Sequence, residues 1–362
     1  MIEVTETFSE SYARARVRFL EAAAAAGCAI ESHPHPLHGR DGEVLALDTA
    51  LDGPAGAERM LVLSSGCHGI EGHCGSGVQA FALHDQEWRD KARAAGVSVL
   101  YLHALNPYGF SFGRRVTHEN VDLNRNFVDF SKPPPANDGY RQLQPLLLPE
   151  RWPPDAANQQ ALADHLAQHG LPATQEAVTR GQYEFPDGLF YGGNAPSWSH
   201  QLVRHVLHKH AGTARQIAWI DVHSGLGDAG IGERIFCGRP DDMPAIERAR
   251  RWWGDKVTSM HDGSSSSAPL TGQMGDAAYD DCPKAEVTSI AIEFGTVPLM
   301  DVLNALRAEQ WLYLHPGAPR PLATQIHQQM RDAFFTDSDA WKGQVISQAR
   351  QAMFQAVDGL TG

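Results

Sequence analysis

Histidine, glutamate and arginine recur just past the apolar runs of this chain, where side chains from separate segments can meet. RMLVLSS (59–65) is followed by His68-Gly69-Ile70-Glu71. VSVLYLHAL (97–105) is followed by Asn106-Pro107, then Arg114-Arg115 and Asp122-Leu123-Asn124-Arg125-Asn126. QIAWIDVHS (216–224) carries His223, and VTSIAIEFG (287–295) carries Glu293. A tight turn lets the imidazole of His68 and the carboxylate of Glu71 converge on one ion. His223, from a distant run, completes a His/Glu/His set. That set suits a catalytic zinc, which takes three protein ligands and keeps one position open. Asp221, two residues before His223, falls on the same face of a strand and can orient the imidazole by accepting its other N–H. A lone H-x-x-E pair carries little weight; its place after a strand, with a second histidine after another strand, is what gives it meaning. Together these residue types make a kit for metal-assisted hydrolysis.

Strands must present these groups. EVLALDTAL (43–51), RMLVLSS, VSVLYLHAL, QIAWIDVHS, RIFCG (234–238) and VTSIAIEFG are short, rich in β-branched residues and bounded by glycine, proline or polar residues, as strands are. Helical patterns lie between and beyond them at 76–94, 155–168, 197–210, 242–255 and 338–357, with an N-terminal helix over about 8–26 that ends at Gly27. The alternation predicts an α/β fold, three layers α/β/α around a mostly parallel or mixed sheet. Nearly continuous apolar strands predict a sheet covered on both faces. In such sheets ligands bind beyond the carboxyl ends of the strands, which is where the candidate residues sit. No repeat or linker divides the chain, so 1–362 is expected to be one domain. SKPPPANDGYRQLQPLLLPERWPP (131–154) holds seven prolines; it is an irregular excursion, serving as a plain insertion, a subunit contact or a wall of the site.

The formal net charge is −13 and no Lys/Arg run stands out, which excludes nucleic acid and anionic membrane as main partners. Five scattered cysteines imply no disulfide framework and suit a reducing compartment. The acidic start is unlike a signal peptide, and no run approaches the roughly 18 apolar residues of a membrane span. A cytoplasmic protein is expected.

The ordered set His68-Gly-Ile-Glu71, Arg115-Val-Thr-His-Glu-Asn-Val-Asp-Leu-Asn124-Arg125-Asn126-Phe127, His223 and Ile292-Glu293-Phe294-Gly295 resembles the zinc metallocarboxypeptidase family related to carboxypeptidase A. Its wider clan includes aspartoacylase-type and succinylglutamate desuccinylase-type deacylases. The resemblance covers roughly residues 40 to 315; VDLNRNF is its most specific string. HGIEGHCGSG and GLFYGGNAPSWSH are most similar to an uncharacterised bacterial branch of that clan. The resemblance implies one zinc ion held by His68, Glu71 and His223. It makes Glu293 the general base toward zinc-activated water, Arg115 the oxyanion stabiliser, and Asn124 and Arg125 the grip on a substrate carboxylate. The implied activity is hydrolysis of an amide bond near a free carboxylate, on a small peptide or an N-acyl amino acid. A guanidinium fork suits a carboxylate, and a glutamate at the end of a buried strand has its pKa raised toward a useful range.

The pattern departs from the family in one place. A tyrosine precedes a Ser-Gly-like turn in those carboxypeptidases. Here the region reads HDGSSSSAPLTGQMGDAAYDD (261–281), the tyrosine position falls near Ala268, and Tyr279 comes late. The serine run is a candidate gate. Deacylases of the clan append a small β-rich domain, whereas residues 301–362 read as helical, which favours the peptidase-like group. The alternative of another class is a non-catalytic binding protein on the same scaffold. Cys67 and Cys74 flank the motif but read as small buried residues; Arg114 is the runner-up to Arg115. His73, His103 and His118 are expected in supporting roles, Asp276 in a turn, and His200, His205, His208 and His210 on a solvated helix face.

Overall fold

The apolar runs become strands whose side chains alternate between two cores. The computed structural model describes residues 2–362. Its strands are β1 (Ala29–His38), β2 (Val44–Asp52), β3 (Arg59–Ser65), β4 (Val97–His103), β5 (Gln216–Ser224), β6 (Gly232–Phe236), β7 (Thr258–Ser259) and β8 (Glu286–Phe294). They form one mixed sheet in the order β1-β2-β4-β3-β5-β8-β6-β7. The central strands β4, β3, β5 and β8 run parallel, while β2 and β6 pair with them antiparallel. Leu61, Leu63, Ala218, Ile220 and Val222 enter one core with the helices at Tyr12–Ala25, Gly72–His84, Met243–Trp253 and Asp339–Thr361. Met60, Val62, Ile217 and Trp219 enter the other with Trp198–Ala211 and Asp276–Asp281. This period of two produces the expected α/β/α layering.

A third cluster sits over the carboxyl ends of the central strands. Tyr140, Leu143, Leu162, Val178, Leu306, Met330 and Phe334 pack there around Ile70. They come from helices Asp138–Leu147, Ala156–His169, Leu171–Thr179, Leu299–Leu314 and Arg320–Phe334. Arg307 ties the two halves of this cap, donating from Nε to the Leu147 carbonyl at 2.9 Å and from Nη2 to Asn158 Oδ1 at 2.8 Å. The 131–154 excursion therefore carries a helix of its own and joins the cap. The N-terminal helix spans Tyr12–Ala25 with Ser11 as its N-cap.

Three expectations need correction. The 76–94 helix is two helices, broken at Asp85, whose side chain caps the second by accepting from Trp88 N. Strand β1 was not expected, because AIESHPHPLH holds two prolines; it is an edge strand paired only with β2, where a missing N–H is tolerated. His200 is buried, stacked on Phe127 with ring centroids 4.1 Å apart, and only His205 and His208 of its group lie on the exposed face. No helix among the described residues is long and apolar enough to cross a membrane, and all five cysteines are free thiols.

Candidate metal centre and cleft

The turn after β3 is held by backbone. Gly69 N donates to the Arg115 carbonyl at 3.0 Å and Ile70 N to the Arg114 carbonyl at 2.8 Å. A Cβ at residue 69 would run into the Gly109 backbone, so this approach needs glycine. The clamp leaves His68 and Glu71 facing the end of β5. There the register pairs His223 on β5 with Glu293 on β8, so these two side chains emerge beside each other.

Both imidazoles aim the same atom at one carboxylate. His68 Nδ1 lies 2.8 Å from Glu71 Oε1, and His223 Nδ1 lies 2.9 Å from Glu71 Oε2. All three residues are buried, and their donor atoms lie within 4.8 Å of one another. Each remaining ring nitrogen faces another carboxylate: His223 Nε2 is 2.6 Å from Asp221, and His68 Nε2 is 3.2 Å from Asp122. Imidazole ligands are commonly oriented by such partners. Asp221 thus stands where the sequence placed it. Asp122 is the residue that sequence reasoning passed over; it lies inside VDLNRNF, but nothing local marks it as a partner of His68.

Electrostatics follow from this packing. Burial alone would raise the Glu71 carboxyl, but the facing His68 and the hydrogen bonds from His223 and His68 hold it below the usual carboxylate range. Burial opposes charging of His223, yet the Asp221 carboxylate and Glu71 keep its pKa well above the usual histidine value. Burial, then the neighbouring Glu71 charge, pushes Glu293 up to about 8. Its Oε1 accepts from Leu226 N at 3.1 Å. Arg115 donates to Asp122 Oδ2 at 3.0 Å and to Glu71 Oε1 at 3.2 Å, and its Nη2 lies 2.7 Å from His68 Nε2. Two of its five N–H groups thereby brace the centre, and Nη2 stands beside the His68 ring.

Asn124 and Arg125 lie in the short 3₁₀ turn Leu123–Arg125. Arg125 donates from Nε and Nη2 to the Thr179 carbonyl at 2.8 and 2.6 Å and from Nη1 to the Asn124 carbonyl at 2.9 Å. Asn124 Oδ1 accepts from Met274 N at 2.9 Å. The guanidiniums of Arg115 and Arg125 lie 5.1 and 5.6 Å from the Phe190 ring, an aromatic wall that the sequence did not single out. All seven candidate residues line one cleft of about 1150 Å³, counting space open to solvent.

Rival candidates lie elsewhere. Arg114 is paired with Glu309 at 2.6 Å and stacked on Tyr313, away from the cleft. Tyr279 packs beside Arg239, and Asp276 opens the helix Asp276–Asp281. His73 Nδ1 donates to the Ser9 carbonyl at 2.9 Å. His103 faces Ser76, and His118 pairs with Glu119. Cys74 belongs to the sheet core. Cys67 comes within reach of Asp221 and His223, but burial pushes its thiol well above the usual range, which disfavours the thiolate a metal needs.

The family model described as "Protein of unknown function (DUF2817)" matches residues 8–348. The chain belongs to this family. No curated protein matches it. Among solved structures, bovine thrombin-activatable fibrinolysis inhibitor in complex with tick carboxypeptidase inhibitor is similar with 12% identity and a TM-score of 0.53, over 98% of each chain. A metallo-carboxypeptidase from Pseudomonas aeruginosa is similar with 13% identity and a TM-score of 0.46, over 95% of this chain and 68% of that one. The first likeness shows that this DUF2817 chain has a carboxypeptidase-like fold.

Proposed function

We propose that this protein is a zinc-dependent hydrolase that cleaves an amide bond near a free carboxylate. The observation that carries the reading is the convergence of His68 Nδ1 and His223 Nδ1 on the two oxygens of Glu71, with a carboxylate behind each ring. Two imidazole nitrogens and a carboxylate suit zinc, and the buried Glu71 anion favours a cation among the three. These residues would hold the ion. When bound, zinc would lower the pKa of a water and polarise a carbonyl.

The chain's own groups divide the rest of the work. Glu293 would take the proton of the attacking water and pass it to the leaving nitrogen, a task suited to a carboxyl whose pKa is raised by burial. Arg115 has N–H groups beyond those spent on Asp122 and Glu71, and would direct them at the oxygen where negative charge develops. Asn124 and Arg125 would receive the substrate carboxylate, with Arg125 fixed in place by the Thr179 carbonyl. We read the whole chain as one catalytic domain, because the sheet and the helical cap both contribute walls to the cleft.

Glu293→Gln tests the reading. It should keep zinc by elemental analysis and lose about 10²–10⁴-fold in turnover. Wild-type rates in this variant would remove Glu293 from its role. A wild-type protein that binds no zinc and gains no hydrolysis on its addition would favour the non-catalytic alternative. Arg125→Ala should raise KM chiefly for substrates with a free carboxylate. An equal effect on amidated substrates would assign Arg125 to wall packing alone.

A further inference from the structure

The charged residues of the cleft are His68, Glu71, Arg115, Arg125, His223 and Glu293, all of them assigned to the proposed centre. Past that centre the wall is mostly apolar, with Thr174, Gln175 and Thr179 among its uncharged polar members. The helical cap contributes Leu162, Leu166 and Leu171 from one side and Leu299, Leu303 and Leu306 from the other. These residues come from segments more than a hundred positions apart, and the cap brings them into the same cleft as Glu293. Leu166 and Leu303 are only partly buried, so their side chains keep a face toward the cleft. The cap also reaches across the opening: Gln175 Nε2 donates to the Ser266 carbonyl at 2.8 Å, and Thr271 N donates to the Arg180 carbonyl at 2.9 Å. An apolar compartment continuous with a polar centre is the usual form of a small-molecule site.

We propose that the leucine-lined compartment under the cap binds an uncharged aliphatic group of the substrate, such as a medium-length acyl chain, so that the substrates are apolar N-acyl amino acids or peptides with an apolar residue there. This rests on the hydrolase reading for its chemistry and on the cap for its selectivity. The compartment offers no carboxylate to a lysine or arginine side chain and no cation to an acidic one beyond the groups of the centre itself. A charged group placed there would lose its hydration without a partner. An aliphatic chain would leave water for a surface of leucines, with about three- to fourfold in affinity for each methylene fully buried.

The test is a series of N-acyl-leucines from acetyl through hexanoyl to octanoyl, with N-lysyl-leucine as the charged comparison. The zinc-loaded wild-type protein should gain ~100-fold or more in kcat/KM from acetyl to octanoyl and should disfavour the lysyl substrate. Leu166→Gln and Leu303→Gln, made singly, should each flatten that ratio. Binding is followed separately by calorimetry on Glu293→Gln, where octanoyl-leucine should bind more tightly than acetyl-leucine. Hydrolysis with no dependence on chain length would overturn the inference and leave the hydrolase reading standing. Tighter octanoyl binding without hydrolysis by the wild type would do the reverse. A preference for the lysyl substrate, or no binding of any member, would overturn the inference.

Discussion

His68 and His223 at the centre, and His103 and His200 elsewhere, are all buried histidines, yet their surroundings make opposite demands. Each ring of the centre faces a carboxylate at both nitrogens, Glu71 at Nδ1 and Asp122 or Asp221 at Nε2. His103 instead faces the Ser76 hydroxyl at 2.9 Å and stacks on Phe19 at 4.4 Å. His200 faces the Asn126 carbonyl at 3.0 Å and stacks on Phe127. Burial pushes both His103 and His200 down to about 4, whereas the carboxylates keep His223 well above its usual value. Burial therefore does not mark a site. A carboxylate shared by the Nδ1 atoms of both rings does, because it holds a place for positive charge between them; neutral partners and a stacked ring make a histidine part of the core.

The largest break in that contrast is expected from Glu71→Gln. It removes the anion shared by both rings and one of the three donors. Zinc affinity, read by competition with a chelating dye, should fall by more than the 10–100-fold typical of an outer partner. Affinity near that of the wild type would move the metal to another donor set, such as Cys67, Asp221 and His223 among the described residues. Smaller losses should follow from Asp122→Asn and Asp221→Asn, about 10–100-fold each, since each leaves the donors in place and loosens the ring behind one of them. Ser76→Ala, at the neutral partner of His103, should leave zinc affinity unchanged. If it lowers affinity as far as Asp122→Asn does, the distinction between the two kinds of histidine fails.

The same contrast explains what the sequence made legible. The strands that carry His223 and Glu293 are short apolar runs, and period-two burial leaves little freedom in how they sit; the 216–224 strand has the bounds expected of it. Asp221 was readable because it shares a strand with His223 at a spacing of two. Asp122 was not, since its link to His68 depends on how the loop after β4 folds back over the turn after β3. The cap was hidden for a related reason. Its two groups of helices are separated by more than a hundred residues of strands, helices and loops, and no local pattern says that Leu166 and Leu303 share one wall. His200 was misplaced because a histidine on an amphipathic helix reads as polar, while Phe127, the ring that covers it, lies in another segment. Strand β1 was obscured by prolines that an edge position tolerates.

The effect that sharpens the contrast furthest from the metal concerns the neutral histidine itself. In the unfolded chain His103 titrates near its ordinary value of about 6.5; in the fold, burial holds it at about 4. Between those values the unfolded chain takes up a proton that the folded chain refuses. Stability from this residue is therefore complete above about pH 6.5 and falls as the pH drops toward 4, by about 3 kcal/mol in all. His103→Gln keeps an amide within reach of the Ser76 hydroxyl and cannot titrate. It should lower stability near neutral pH, where the stacked ring on Phe19 is lost, and should make the decline between pH 7 and pH 4.5 shallower than in the wild type. Urea unfolding of the two proteins at both pH values measures the difference of slopes, and the histidines of the centre cancel because both proteins contain them. Equal slopes would mean that the fold accommodates a charged His103, and its neutral partners would then no longer explain why it stands apart from His68 and His223.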